Sequence, residues 1–106
     1  MTKFLIKATY TSDGAKGLLK AGGTSRKQAV EKMITEMGGK LEVFYFAFGN
    51  DDVFAIAEIP DAATAVAISL SINASGLVTV SLTVLLDPEE IDKAAHILVN
   101  YRSPGN

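Results

Sequence analysis

The side chains best suited to bind or polarise a small molecule lie in three separate segments of the sequence. Lys7 and Thr9 occur in the first segment, Tyr45 in the second, and Thr79 and Ser81 in the third. In the first and third segments these polar residues alternate with apolar ones, the period that sends successive side chains of a strand to opposite faces of a sheet. If the segments pair in one sheet, these five residues predict a mostly apolar ligand site with a few polar anchors.

The plainer interpretation of the same residues is structural. Threonine and serine are ordinary residues of half-exposed strands, and Lys7 can extend its ammonium into water. Both interpretations stay open at the level of sequence.

Acid–base chemistry at such a site would rest on Lys7, Tyr45 and Asp52. Asp51 and Asp52 stand together in a turn, where one carboxylate could act as a base beside the mouth of a cavity. Two carboxylates can also bind Mg²⁺ or Ca²⁺, but neither a third ligand nor EF-hand spacing is visible. Adjacent acids in a turn most often serve backbone geometry. We therefore predict no metal site, and Asp52, directly before a strand, is the better functional candidate of the two.

Other chemistry is restricted by composition. The chain has no cysteine and a single histidine, His96, which excludes disulfides, thiolate chemistry and a multi-histidine metal centre within one chain. His96 follows Asp92 at i,i+4 spacing in the last predicted helix, where we interpret it as a helix-end histidine on the surface. No cofactor is predicted.

The overall composition is that of one domain spanning residues 1–106. The formal charge is −2, and the ten basic residues are scattered, so nothing favours nucleic acid. The segment from Met1 to Tyr10 has no signal-peptide h-region, and we expect a cytoplasmic protein.

The longest uncharged stretch runs from Ala62 to Leu86. Serine, asparagine and glycine interrupt it, so it predicts a small-residue helix followed by a strand rather than a membrane span. A domain of this size has little interior in which to bury so much uncharged surface. The stretch therefore predicts homo-oligomerisation, with a second interface on the Ala62 to Ser75 helix that would build a tetramer or larger assembly.

The pattern of periods and turn signals predicts the order β-α-β-β-α-β-α, in which the first α stands for two consecutive helices. The expected strands are 4–10, 41–48, 53–59 and 77–86. The expected helices are Gly14 to Lys20, one that starts at Ser25 with a Ser25–Gln28 capping box, Ala62 to Ser75, and one that opens at Asp87. This order is the split βαβ of the ferredoxin-like α+β class, with a four-stranded antiparallel sheet in which strands one and four are neighbours.

The second strand is apolar on both faces, with Val43, Tyr45 and Ala47 on one side and Phe44, Phe46 and Phe48 on the other. Helices cover only one face of such a sheet, and an uncovered apolar face of several hundred Å² is more than soluble monomers usually tolerate. Face-to-face packing of two sheets, with two-fold symmetry, would bury it. We therefore predict a homodimer, a dimeric α/β barrel.

Several segments resemble the GYD domain family. They are FLIKATYT at 4–11, GAKGLL at 14–19, FYFAFG at 44–49 with Asp52 and Val53, SLSINASG at 69–76 and NYRSPG at 100–105. The resemblance covers nearly the whole chain and implies a small bacterial protein of the dimeric α/β-barrel kind. Asn50 and Asp51 stand where the aromatic residue of the family's signature is expected, so no role for that tyrosine carries over.

Two hypotheses for function follow. The first is a small apolar or aromatic ligand bound in a barrel between subunits, extending to cofactor-free proton transfer or oxygenation. The alternative is a non-catalytic regulatory or structural oligomerisation module, since the fold does not choose between them. A barrel interior filled by Phe44, Phe46, Phe48 and Leu82 would favour the structural hypothesis.

Overall fold

The computed structural model describes residues 1–47 and 49–106, which contain four strands and four helices. In chain order these are β1 (Thr2–Tyr10), α1 (Ser12–Ala21), α2 (Gly23–Glu36), β2 (Lys40–Phe46), β3 (Val53–Ile59), α3 (Ala62–Ala74), β4 (Val78–Leu85) and α4 (Pro88–Ala95). Phe48, which the sequence assigned to the second strand, lies outside the described residues.

The strands form one sheet in the order β2-β3-β1-β4, and every neighbouring pair is antiparallel. This order places β4 beside β1 and the β2–β3 hairpin on the other flank, as the sequence predicts. The ferredoxin-like α+β fold is thereby confirmed.

The core lies between the sheet and the helices on one of its faces. Ile34 of α2 and the Ala65 and Ile68 side chains of α3 are buried against alternate residues of the strands. Those strand residues are Phe4, Ile6, Ala8, Leu41, Val53, Ala55, Ala57, Ile59, Val78 and Val80. The alternation in β1, β3 and β4 thus decides which side chains face the helices and which face away.

The first crossover differs from its prediction at both helix starts. α1 begins at Ser12, because the Thr11 hydroxyl accepts the backbone N–H of Gly14 and caps the helix earlier than expected. Gly22, at φ +87°, lies at the end of α1 and the start of α2. α2 therefore starts at Gly23 rather than Ser25, and the predicted Ser25–Gln28 capping box is wrong.

α3 is fixed at its two ends by side chains. Asp61 accepts the backbone N–H of Thr64 at 2.8 Å, and hydrogen bonds from the Thr64 backbone and hydroxyl lower the pKa of Asp61. Near the other end, the Asn73 amide donates to the carbonyl of Val80 and accepts the Val80 N–H at 2.7 Å. Asn73 thus pairs with the edge strand β4 as another peptide group would.

Gly14 is the point at which α1 approaches the sheet most closely. A Cβ atom built there would lie 1.9 Å from the carbonyl oxygen of Leu77, which already accepts the N–H of Thr11. A carbonyl held in this way cannot move aside at low cost. Gly17, one turn along the same helix, has no heavy atom within 4 Å of a built Cβ.

We expect Gly14→Ala and Gly17→Ala to have opposite effects on stability. Gly14→Ala forces α1 off the sheet and should destabilise the fold by about 1–3 kcal/mol. Gly17→Ala should raise stability by up to about 1 kcal/mol, because alanine is the better helix former. Urea unfolding followed by circular dichroism measures both. Equal effects of the two substitutions would contradict the close approach at Gly14.

Candidate functional site

The face of the sheet opposite the helices is open. The hairpin gives it an apolar area, and β1 and β4 contribute mostly lysine, threonine and serine. Tyr45 is 69% exposed, Phe54 39% and Val43 37%, although none of these side chains is suited to water. Leu5 and Ile56 lie on the same face and are half-buried. We call this surface the open face. It is the surface that the double-sided apolar pattern of the hairpin predicted.

Four residues form a row straight across the open face. The strand register pairs Tyr45 with Phe54, Phe54 with Lys7, and Lys7 with Ser81. Directly opposed side chains of this kind have Cβ atoms about 5 Å apart. The row therefore joins an ammonium, two aromatic rings and a hydroxyl across all four strands.

Thr9 and Thr79 are paired on the same face, next to this row. The five residues predicted to line a ligand site, Lys7, Thr9, Tyr45, Thr79 and Ser81, thus share one face and lie in two adjacent rows.

A second lysine on the open face is already paired. Lys3 Nζ lies 3.3 Å from Glu42 Oε2, and both side chains are partly buried. Glu42 is the extra residue at the irregularity between Leu41 and Val43 in β2. Lys7 has no such partner in the described part of the chain, where the ion pairs involve Lys3, Lys16 and Lys32.

Asp52 has a structural contact. Its Oδ2 accepts the backbone N–H of Tyr10 at 2.8 Å, and its own N–H and C=O bond Ala8 and Ala47. Asp51 makes a longer contact, in which the Thr9 hydroxyl donates to Oδ1 at 3.5 Å. The two acids therefore hold the hairpin turn against the end of β1, beside the rows rather than within them.

Three of the four residues that would favour a filled barrel lie on the helix face of the sheet, and the fourth, Phe48, is outside the described residues. Phe44 and Leu82 pack against the core on the helix face, and Phe46 alternates with Tyr45 towards that face as well. The phenyl rings of Phe44 and Phe46 meet edge to face, with their centroids 5.3 Å apart. These side chains therefore do not occupy the open face.

His96 is the residue that ends α4, and it is exposed, as the sequence predicted. Its Nδ1 contacts the Asp92 carbonyl at 2.7 Å. Within residues 1–47 and 49–106, no group of three or more histidine, aspartate or glutamate side chains is arranged to hold a metal ion. No helix of these residues has the length and apolar character needed to cross a bilayer.

Phe54 is the site residue that the sequence interpretation missed. It lies between Lys7 and Tyr45, the two residues chosen for chemistry. Strict alternation in β3 separates the buried Val53, Ala55, Ala57 and Ile59 from Phe54, Ile56 and Glu58. That period alone could have placed Phe54 on the open face.

A four-stranded antiparallel sheet with helices on one side and an open second side defines an α+β protein of the ferredoxin-like class. The GYD domain family matches residues 4–95, from β1 to the end of α4, and the chain belongs to that family. No curated protein and no solved structure matches the chain.

Substitution of the two turn acids should separate a structural role from a chemical one. Asp52→Ala leaves the Tyr10 N–H without its acceptor and should cost about 1–3 kcal/mol of unfolding free energy. Asp52→Asn keeps an acceptor oxygen and should cost less. Asp51→Ala removes only a long contact and serves as the control. Chemical denaturation of the three variants is the measurement, and an Asp52→Ala protein as stable as the parent would contradict the structural role.

Proposed function

We propose that the protein binds a small apolar or aromatic molecule against the open face, in a chamber closed by the same face of a second copy. The row of Tyr45, Phe54, Lys7 and Ser81 is the observation that carries the proposal. It combines an apolar floor with polar groups that fix orientation, which is the composition of small-molecule sites.

The dimensions of the row suit a planar ligand. Neighbouring strands lie about 4.8 Å apart, so Lys7 and Tyr45, two strands from each other, are separated by about 10 Å. Phe54 occupies the position between them. An aromatic molecule stacked on Phe54 would reach the Lys7 ammonium at one end and the Tyr45 hydroxyl at the other.

Closure by a second copy follows from the energetics of the open face. Fully burying a large apolar side chain contributes about 1.5–3 kcal/mol, and completing the burial of a partly exposed one contributes a corresponding part of that. Three of those on the open face, Val43, Tyr45 and Phe54, are each more than one-third exposed in the single chain. A self-complementary contact about a two-fold axis buries the same set on both copies at once.

Lys7 sets the chemistry expected at one end of the ligand. Once the face is covered, an ammonium without a counter-charge is costly, because burying an unpaired charge loses its hydration. Lys3 avoids this cost through Glu42, whereas Lys7 makes no ion pair within the described residues. A carboxylate, phenolate or sulfonate on the ligand would supply the missing charge.

Binding without turnover fits the contacts better than proton transfer does. Of the three residues considered for acid–base chemistry, Asp52 is engaged by the Tyr10 backbone at the sheet end. Lys7 and Tyr45 remain as groups that orient or polarise a ligand. The alternative, a purely structural module, does not account for Lys7, since a lysine adds nothing to an apolar contact between sheets.

Two fluorescent probes test the proposal without knowledge of the natural ligand. 1-Anilinonaphthalene-8-sulfonate is an aromatic anion, and N-phenyl-1-naphthylamine is its uncharged analogue. We expect saturable binding of both to the folded protein. Lys7→Met should raise the Kd of the anionic probe about tenfold, equivalent to about 1.4 kcal/mol, and leave the uncharged probe nearly unchanged.

Lys16→Met is the matched control, because Lys16 is an exposed lysine of α1, far from the open face in the fold. It should change neither Kd. Equal loss of anionic-probe binding in the Lys7 and Lys16 variants, or no loss in either, would overturn the site. Phe54→Ala should weaken both probes, since it removes the surface on which each ring stacks.

A further inference from the structure

The segment after β4, residues 86–106, projects from the body of the protein, and we call it the arm. Every residue of the arm is exposed. The radius of gyration is 17.0 Å, whereas a compact chain of about 100 residues has about 13 Å. The longest dimension, 56 Å, is also far greater than the other two, 32 and 24 Å.

The arm has an apolar stripe with helical spacing. Within α4, Ile91, Ala94 and Ala95 fall at i, i+3 and i+4 and share one face, and the apolar residues Ile97, Leu98 and Val99 follow the helix directly. The opposite side of α4 carries Glu89, Glu90, Asp92 and Lys93. Ile91 is 55% exposed and Leu98 99% exposed, so these apolar side chains are not covered by their own chain. A helix patterned in this way is built to lie on an apolar surface.

A groove of matching character runs between α3 and β4. It has a volume of about 510 Å³, and its lining includes Thr2, Ala62, Val66, Ser69, Leu82 and Val84, with no charged side chain. Val66 and Val84 remain 55% and 50% exposed. The groove lies further along β4 than Val80, the point at which the Asn73 amide already occupies the strand edge.

We propose that the arm of one copy docks in the α3–β4 groove of a second copy, and that the exchange is reciprocal. The arm carries apolar side chains that its own body does not cover, and the α3–β4 groove is an apolar surface without a partner, so reciprocal docking of two copies covers both. The proposal does not depend on a ligand at the open face.

The length of the arm permits this contact. The eight residues of α4 span about 12 Å, and the residues that follow it can extend by about 3.3 Å each. The whole molecule is 24 Å across its shortest dimension. Leu85, immediately before the arm, pairs with Lys3 on the open face, so a copy seated on that face lies beside the point where the arm begins.

Docking of the arm in the α3–β4 groove would also cover part of the outer surface of α3. The sequence predicted a second interface on this helix, and the exposed Val66 and Leu70 side chains are consistent with one. Arm exchange covers Val66 within a dimer. With arm exchange, no assembly larger than a dimer is needed to cover Val66.

Disulfide trapping tests the exchange directly, because the chain has no cysteine of its own. A Leu98→Cys chain and a Val66→Cys chain are mixed, unfolded together, refolded and oxidised. We expect a disulfide-linked heterodimer on a non-reducing gel. The control pairs Leu98→Cys with Thr24→Cys, an exposed position at the start of α2, and should give at least tenfold less cross-link.

The doubly substituted Leu98→Cys, Val66→Cys chain distinguishes exchange from docking on the chain's own groove. Exchange predicts disulfide-linked dimers, whereas an internal disulfide in a monomeric chain would overturn the proposal. Cross-linking no greater than in the Thr24 control would overturn it as well. Ile91→Asp should weaken dimerisation at least tenfold in sedimentation experiments, and Glu89→Gln, on the polar side of α4, should leave it unchanged.

Discussion

The sheet has helices on one face only, and this asymmetry governs the rest of the molecule. The hairpin strands β2 and β3 carry apolar residues on both faces and need cover on both, and α1, α2 and α3 supply it on one side. The charge-free stretch of α3 and β4 shows how the covered side is built, with Ala65 and Ile68 inward and Asn73 holding the strand edge. On the other side Val43, Tyr45 and Phe54 remain exposed. In our account a second copy provides the missing layer, and the ligand chamber is a consequence of that packing.

The open face differs from a simple apolar contact surface because polar side chains cross it, among them Lys7 between Phe54 and Ser81. Lys3 on the same face has Glu42 at 3.3 Å, whereas no ion pair of the described residues involves Lys7. In our account the unpaired Lys7 ammonium serves recognition rather than stability. The carboxylates of Asp51 and Asp52 meanwhile bond Thr9 and the Tyr10 backbone. The site is therefore electropositive at Lys7 and anchored by hydrogen bonds at the end of the sheet.

Much of this fold could be predicted from the periodicity of the sequence, because a two-residue repeat of apolar residues indicates both a strand and which of its faces is buried. Strand order, the common face of Lys7, Thr9, Tyr45, Thr79 and Ser81, and the helix-end position of His96 all follow from patterns of that kind. What could not be predicted were contacts between distant segments. Three contacts depend on how distant segments align, which no local pattern encodes: the register that puts Phe54 between Lys7 and Tyr45, the Lys3–Glu42 pair across β3, and the Asn73–Val80 bonds. The prediction for the start of α2 failed for a different reason. Gly22 adopts a positive φ as the capping residue, so α2 begins at Gly23 rather than after the serine that a capping box favours.

Accessibility of the open face in solution is the most direct test of the central claim. Thr83 lies on that face in the row next to Lys7, paired with Leu5, and it is exposed in the single chain. A Thr83→Cys chain, which has no other thiol, is labelled with a maleimide over a range of protein concentrations and compared with Thr24→Cys. Our account predicts that the thiol of the Thr83→Cys chain is labelled slowly and that its labelling rate rises as the protein is diluted. The thiol of the Thr24→Cys chain should be labelled fast at every concentration. Equal, concentration-independent rates at the two positions, together with a sedimenting mass of 11.2 kDa, would contradict it.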